Sequence, residues 1–189
     1  ENRKAQPTAG IIDSQSVKTT ESGGIRGYDA GKRIKGRKRH IVTDTVGLLI
    51  GLVVHSAGIQ DRDGAPDVLK AYPSLRHVFA DGGYAGPKLR DALKALGQWT
   101  VQIVKRSDAA EGFEVLPRRW VVESTFAWLN RCRRLSKDWE KSIARAEGKK
   151  VSAAMAKKLL TKSSNKGPVW VEKTYRPPLY LPTFATLPV

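Results

Sequence analysis

Apolar residues recur along this chain with two different periods, and the switches between them mark out the elements. The run Ala9-Gly10-Ile11-Ile12-Asp13-Ser14-Gln15-Ser16-Val17 predicts a short strand, with Asp13 directly after its most apolar part. Residues 40–46 and 48–55 are rich in β-branched and aliphatic side chains and meet at Gly47, so they predict an antiparallel hairpin. Asp61-Arg62-Asp63-Gly64 then precedes a helix over residues 65–71; its acids suit a helix cap, because no bidentate acid follows at the spacing a calcium loop requires. Residues 75–80 predict a strand that delivers Asp81 at its C-terminal end, ahead of Gly82-Gly83-Tyr84. Pro87 occupies the first position of a helix that Gly97 stops, residues 99–104 form the next strand, and residues 105–116 a loop.

The strongest helical period lies in residues 118–135. Val121, Thr125, Trp128, Cys132 and Leu135 form one apolar stripe, which Val122, Phe126 and Leu129 widen into a broad buried face. Glu123 falls outside that face, in a sector shared with Arg119, Asn130, Arg131 and Arg134. A lone carboxylate among cations has two uses: a surface ion pair with Arg119, or a metal ligand flanked by arginines that hold a nucleic-acid backbone. The order strand, hairpin, helix, strand, helix, strand, helix describes an α/β fold with a mixed five-stranded sheet flanked by helices, and the ribonuclease H-like fold has this order. Open sheets of this kind bind ligands beyond the carboxyl ends of their strands, where Asp81 falls with Asp13 beside it.

Charge changes the picture most. The 189 residues hold 34 Lys+Arg against 18 Asp+Glu, a formal net charge of +16, which points to a polyanionic partner and most simply to nucleic acid. Between Thr19 and Arg39, glycines alternate with cations, and Lys32, Arg33, Lys35, Arg37, Lys38 and Arg39 predict a loop that contacts a phosphate backbone. The single Cys132 excludes an internal disulfide and fits a small buried hydrophobe. The longest apolar stretch, residues 48–54, is too short to cross a bilayer. The chain opens on Glu1 rather than Met, as a piece of a longer protein would. Residues 1–8 read as a loose lead, 9–141 as the domain, and 142–189 as a basic helical and then Pro-rich tail.

Three acids assemble from this reading. Asp13, Asp81 and Glu123, from two strand ends and a covering helix, make an all-oxygen set suited to Mg²⁺ or Mn²⁺, and two such ions support in-line attack on a phosphodiester. Gly82 and Gly83 let a bulky backbone approach, or simply form a turn. No zinc pattern, nucleophile elbow or phosphate loop competes.

The segments Ile11-Ile12-Asp13-Ser14-Gln15-Ser16-Val17-Lys18, Gly36-Arg37-Lys38-Arg39-His40, Ala80-Asp81-Gly82-Gly83-Tyr84 and Arg118-Arg119-Trp120-Val121-Val122-Glu123 resemble, in order, the catalytic half of DDE transposases of bacterial insertion sequences, the insertion sequence four and five group. The resemblance implies a ribonuclease H-like fold and Mg²⁺-dependent cleavage and strand transfer on double-stranded DNA, by a homo-oligomer in the bacterial cytoplasm at the nucleoid. By position it implies Asp13, Asp81 and Glu123 as catalytic and metal-binding acids and Arg119 as a DNA contact. The family places a basic residue seven positions after the glutamate; here that position is Asn130, with Arg131 next to it. Ser124 stands where relatives carry a basic residue, and the tail does not look like the family's C-terminal helix. Two hypotheses stand: a catalytic transposase domain, or a truncated, inactive remnant that only binds nucleic acid.

Overall fold

Strict alternation along one strand organises the molecule. In β1 (Ala9–Lys18), Ile11 faces one helical layer and Ile12 the other, and both are buried because β1 is central. The computed structural model describes residues 6–21, 24–105, 116 and 118–148. After β1 come β2 (Gly27–Asp29), β3 (Ile34–Thr43), β4 (Leu49–Ser56), α1 (Asp61–Leu69), β5 (His77–Ala80), α2 (Pro87–Leu96), β6 (Thr100–Ile103), α3 (Arg119–Arg131) and the short α4 (Arg133–Ser136). β1 lies between β3, antiparallel, and β5, parallel; β6 continues the parallel side. The outer edge of β3 is divided, with β2 pairing to its first residues and β4 to the remainder. This is a mixed α/β architecture of the ribonuclease H-like kind, in which an antiparallel half delivers β1 beside a parallel half that delivers β5.

Each face of the sheet buries its own core. Ile12, Val42 and Val78 pack with Ala65, Val68 and Leu69 of α1 and Leu89 and Leu93 of α2. On the opposite face Ile11 and Ile41 pack with Val121, Val122, Phe126 and Leu129 of α3 and with Leu135. The β3–β4 turn forms because Gly47 adopts φ 85° while the Asp44 carboxylate accepts from the amides of Val46 at 2.9 Å and Leu48 at 2.8 Å. No helix among the described residues is long and apolar enough to cross a membrane.

Four expectations need correction. The sheet has six strands rather than five, because Gly27–Asp29 adds a short edge strand within the segment expected to be a loop. β3 begins at Ile34, so Arg37, Lys38 and Arg39 are strand residues with exposures of 0%, 4% and 0%. Their charges are met from inside the protein and not by solvent, as detailed below. The helix of residues 118–135 is interrupted at Cys132, whose extended backbone (φ −77°, ψ 110°) separates α3 from α4. That residue is half-buried, not enclosed. Finally, α1 starts at Asp61, so the acids expected ahead of the helix form its first turn. The expected loop lies at residues 106–115 outside the described residues, as does the tail from residue 149 onward; residues 143–148 are helical.

Candidate active site

The middle of β1, the turn after β5 and the first half of α3 bring Asp13, Asp81, Arg119 and Glu123 together; Asp13 was expected at a strand end, but β1 continues past it to Lys18. Asp13 sits midway along β1, and its carboxylate accepts from the Ser14 amide at 2.6 Å. Burial, reinforced by the negative charge of Asp81, raises the Asp13 carboxyl to about 6; the Ser14 amide, Arg119 and Lys32 oppose that rise. Asp81 follows β5 directly and caps a short 3-10 turn over Gly82–Tyr84, accepting from the Gly83 amide at 2.8 Å. Arg119, in the first turn of α3, places its guanidinium 3.8 Å from Asp81 and 3.0 Å from Glu123.

Asp13 and Asp81 thus feel each other directly, while Glu123 joins them through Arg119. The Glu123 side chain is 51% exposed and the Arg119 side chain 19%. Among the described residues, no three His, Cys, Asp or Glu side chains converge closely enough as they stand to hold a metal ion. The donor chemistry nevertheless suits a hard divalent cation: oxygen ligands only, with Asp13 raised chiefly by burial and further by the charge of Asp81. The backbone entering α3 is strained, since Arg118 adopts φ 71° while its guanidinium stacks 5.9 Å from the Phe79 ring of β5. This contact seats the start of α3, and with it Arg119, against the strand that leads to Asp81.

The cations expected to touch DNA divide into two groups. Arg33 and Lys35 are exposed, on the turn and strand beside a cleft of about 410 Å³ that Lys18, Arg26 and Tyr28 also line. Lys32 reaches inward, donating to the Ser14 carbonyl at 3.2 Å and hydroxyl at 3.3 Å. Arg131 and Arg134 are exposed near the end of α3 and in α4, with Arg131 two turns, about 12 Å of helix rise, from Glu123. The second group is internal. Arg37 donates to the carbonyls of Ile25, Glu140 and Lys141 and lies 3.4 Å from Asp138. Lys38 pairs with Asp61 at 2.7 Å and Asp29 at 3.3 Å. Arg39 donates to Gln15, to the Leu135 carbonyl at 3.0 Å and to Asn130 at 2.6 Å. Asn130, the position where a basic residue was expected, is committed to Arg39.

The sequence reading missed a second polar layer on the α1 face. Ser14 donates to Asp61, and the Tyr84 hydroxyl meets His40 Nδ1 at 3.2 Å. Burial pushes the Tyr84 phenol well up, with Asp13, Asp61 and Asp81 adding to the rise. The available signal was period two in β1 and β3, which sends Ser14, Lys38 and His40 to the face opposite Asp13.

A family described as the transposase DDE domain matches residues 4–148. A protein of Burkholderia cepacia described as "Putative transposase for insertion sequence element IS402" is 33% identical over 111 residues, covering 53% of this chain and 52% of that protein. The chain therefore spans about half the length of this curated relative. With the match covering most of its length and all four of the residues assembled above, the chain belongs to the DDE transposase family.

Proposed function

We propose that this chain cuts and joins strands of double-stranded DNA at the ends of an insertion sequence, with Asp13, Asp81 and Glu123 as its metal-binding acids. The observation that carries the reading is the placement of Asp13 on β1 and Asp81 directly after the adjacent parallel strand β5, with Arg119 bridging Asp81 and Glu123. Mg²⁺ or Mn²⁺, as a pair of ions held by these carboxylates, would supply an activated water or 3′-hydroxyl and stabilise the leaving oxygen. Burial, with the charge of Asp81 adding to it, raises Asp13 to about 6 against the Ser14 amide, Arg119 and Lys32, so a bound cation would favour its ionised form. Arg119 presents a planar fork of donors that suits a phosphate as well as it suits two carboxylates, so it holds the DNA backbone beside the acids. Arg33 and Lys35 extend the basic surface, and Arg131 and Arg134 add a second cationic stretch.

The test is conversion of supercoiled plasmid to nicked circles by the purified chain with Mg²⁺ or Mn²⁺. Nicking should require metal and should vanish in Asp13→Asn, Asp81→Asn and Glu123→Gln. Binding of the plasmid without nicking by the unsubstituted chain would sink the enzymatic reading. It would support the second reading, a remnant that binds DNA without cutting it, which the commitment of Asn130 to Arg39 favours.

A further inference from the structure

We infer that Asp61 is a positioning residue that fixes the strand carrying Asp13 relative to the turn carrying Asp81. The inference rests on the reading of those two aspartates as the reacting-site acids. Asp61 opens α1; its carboxylate bonds to Ser14 of β1 and lies beside the turn after β5 without bonding to it. Its Oδ1 accepts from the Ser14 hydroxyl at 2.7 Å and from Lys38 Nζ at 2.7 Å. Ser14 follows Asp13 and points to the opposite face of β1, so holding its hydroxyl fixes the stretch of backbone from which Asp13 projects. Lys32 donates to the carbonyl and to the hydroxyl of the same serine. Asp61 Oδ2 faces the turn after β5: a Cβ placed on Gly83 would stand 3.3 Å from it and 3.0 Å from Asp81 Oδ1. The two carboxylates therefore flank the same bare Cα, and the amide of that glycine holds Asp81.

Charge distinguishes this role from that of a metal ligand. Lys38, buried to 4% exposure, neutralises Asp61, and Lys38 is itself braced by Asp29, which accepts from Ser16 at 2.5 Å. Asp13 is held instead by a neutral backbone amide. An acid already paired with a buried lysine has its charge spent inside the protein; its contribution is geometric, and a side chain of the same shape without the charge should replace it.

The experiment measures Mn²⁺ affinity by electron paramagnetic resonance, and amide hydrogen exchange at Ser14 and Gly83, in Asp61→Ala, Asp61→Asn and Ser14→Ala. Asp61→Ala should weaken Mn²⁺ binding by about tenfold, the lower end for loss of an outer-shell partner, and should speed exchange at both amides. Asp61→Asn keeps an acceptor for Ser14 and Lys38 and should retain both the affinity and the protection. Unchanged affinity and exchange in Asp61→Ala would overturn the inference. So would an Asp61→Asn that loses Mn²⁺ as fully as Asp61→Ala while Gly83 stays protected, since that makes Asp61 a ligand. If the unsubstituted chain takes up no Mn²⁺, the metal reading of the site fails while the exchange data still decide Asp61. Should Asp61→Ala not fold, Ser14→Ala decides in its place: faster exchange at Gly83 supports the link, and unaltered exchange refutes it.

Discussion

Replacing Asp138 by Ala would strip the counter-charge from a guanidinium that solvent cannot reach. Arg37 is 0% exposed and lies 3.4 Å from Asp138, itself 3% exposed. Removing one partner of a buried pair costs about 3–5 kcal/mol because the other charge is left uncompensated. Here the lower end applies, since three carbonyls, those of Ile25, Glu140 and Lys141, continue to accept from Arg37. The Glu140 amide also loses the Asp138 side chain as its acceptor. At about 4 °C per kcal/mol for a domain of this size, a loss of about 3 kcal/mol lowers the melting temperature by about 12 °C. Thermal unfolding followed by circular dichroism should show this fall for Asp138→Ala and a smaller one for Asp138→Asn. Adding Arg37→Met to Asp138→Ala should recover part of the loss, because the double variant no longer buries an unpaired charge. DNA affinity per folded molecule should not change in either single variant. Melting shifts under about 2 °C, half of what a single kcal/mol produces, would refute the buried pairing. So would an Arg37→Met that keeps its stability but weakens DNA binding, since Arg37 would then face the phosphate backbone.

Three further outcomes follow from the same geometry. The Asp13 carboxyl rises from 3.8 to about 6 on folding, so between those values the folded state binds more protons than the unfolded one. Stability of the metal-free protein should therefore fall as pH rises from about 4 to about 6, and Asp13→Asn should remove that component from a melting-temperature profile. Gly64→Ala would place a Cβ 2.5 Å from His55 Nε2 and 2.6 Å from His40 Nε2, both on buried rings. Overpacking at about 1–3 kcal/mol outweighs or cancels the helix propensity gain of about 1, so calorimetry should show no stabilisation, and a stabilised variant would refute the close packing. Arg33→Ala with Lys35→Ala should lower the log–log salt slope of DNA binding by about 0.9 for each phosphate no longer neutralised, at constant melting temperature; an unaltered slope removes this face from the DNA interface.

Elements with a strong period were legible from the residues alone. β1, the hairpin at Gly47, the Pro87-to-Gly97 helix and the apolar face of α3 follow from local spacing; Asp81 falls at the end of β5 as expected, whereas Asp13 lies midway along β1 and not at its end. What stayed hidden depends on partners distant in the chain. Arg37, Lys38 and Arg39 read as loop cations facing a phosphate backbone because nothing nearby in sequence neutralises them, yet Asp61 lies 23 residues from Lys38 and the Leu135 carbonyl 96 residues from Arg39. No local rule connects such groups. The same holds for Asp61, whose position ahead of Gly64 suggests a cap, and whose carboxylate instead accepts from Ser14 and Lys38. The break at Cys132 escaped because the apolar stripe continues across it: Leu135 remains in the same core after the backbone has left the helix.

The burial of those three cations ties β3 to both of the layers that flank it. β3 alternates its ties. Arg37 and Arg39 bind the segment after α3 on one face, whereas Lys38 and His40 bind the α1 layer and Tyr84 on the other. Buried ionic contacts add little net stability over well-packed apolar residues, but they tolerate few alternative pairings. A one-residue slip of β3 against β1 would send Arg37 and Arg39 toward α1 and Lys38 toward α3, leaving each charge facing the wrong partners. It would also displace Gln15 and Ser14, the β1 residues that meet those ties within two positions of Asp13. Register at β1 is therefore enforced electrostatically on both faces, within one or two residues of Asp13.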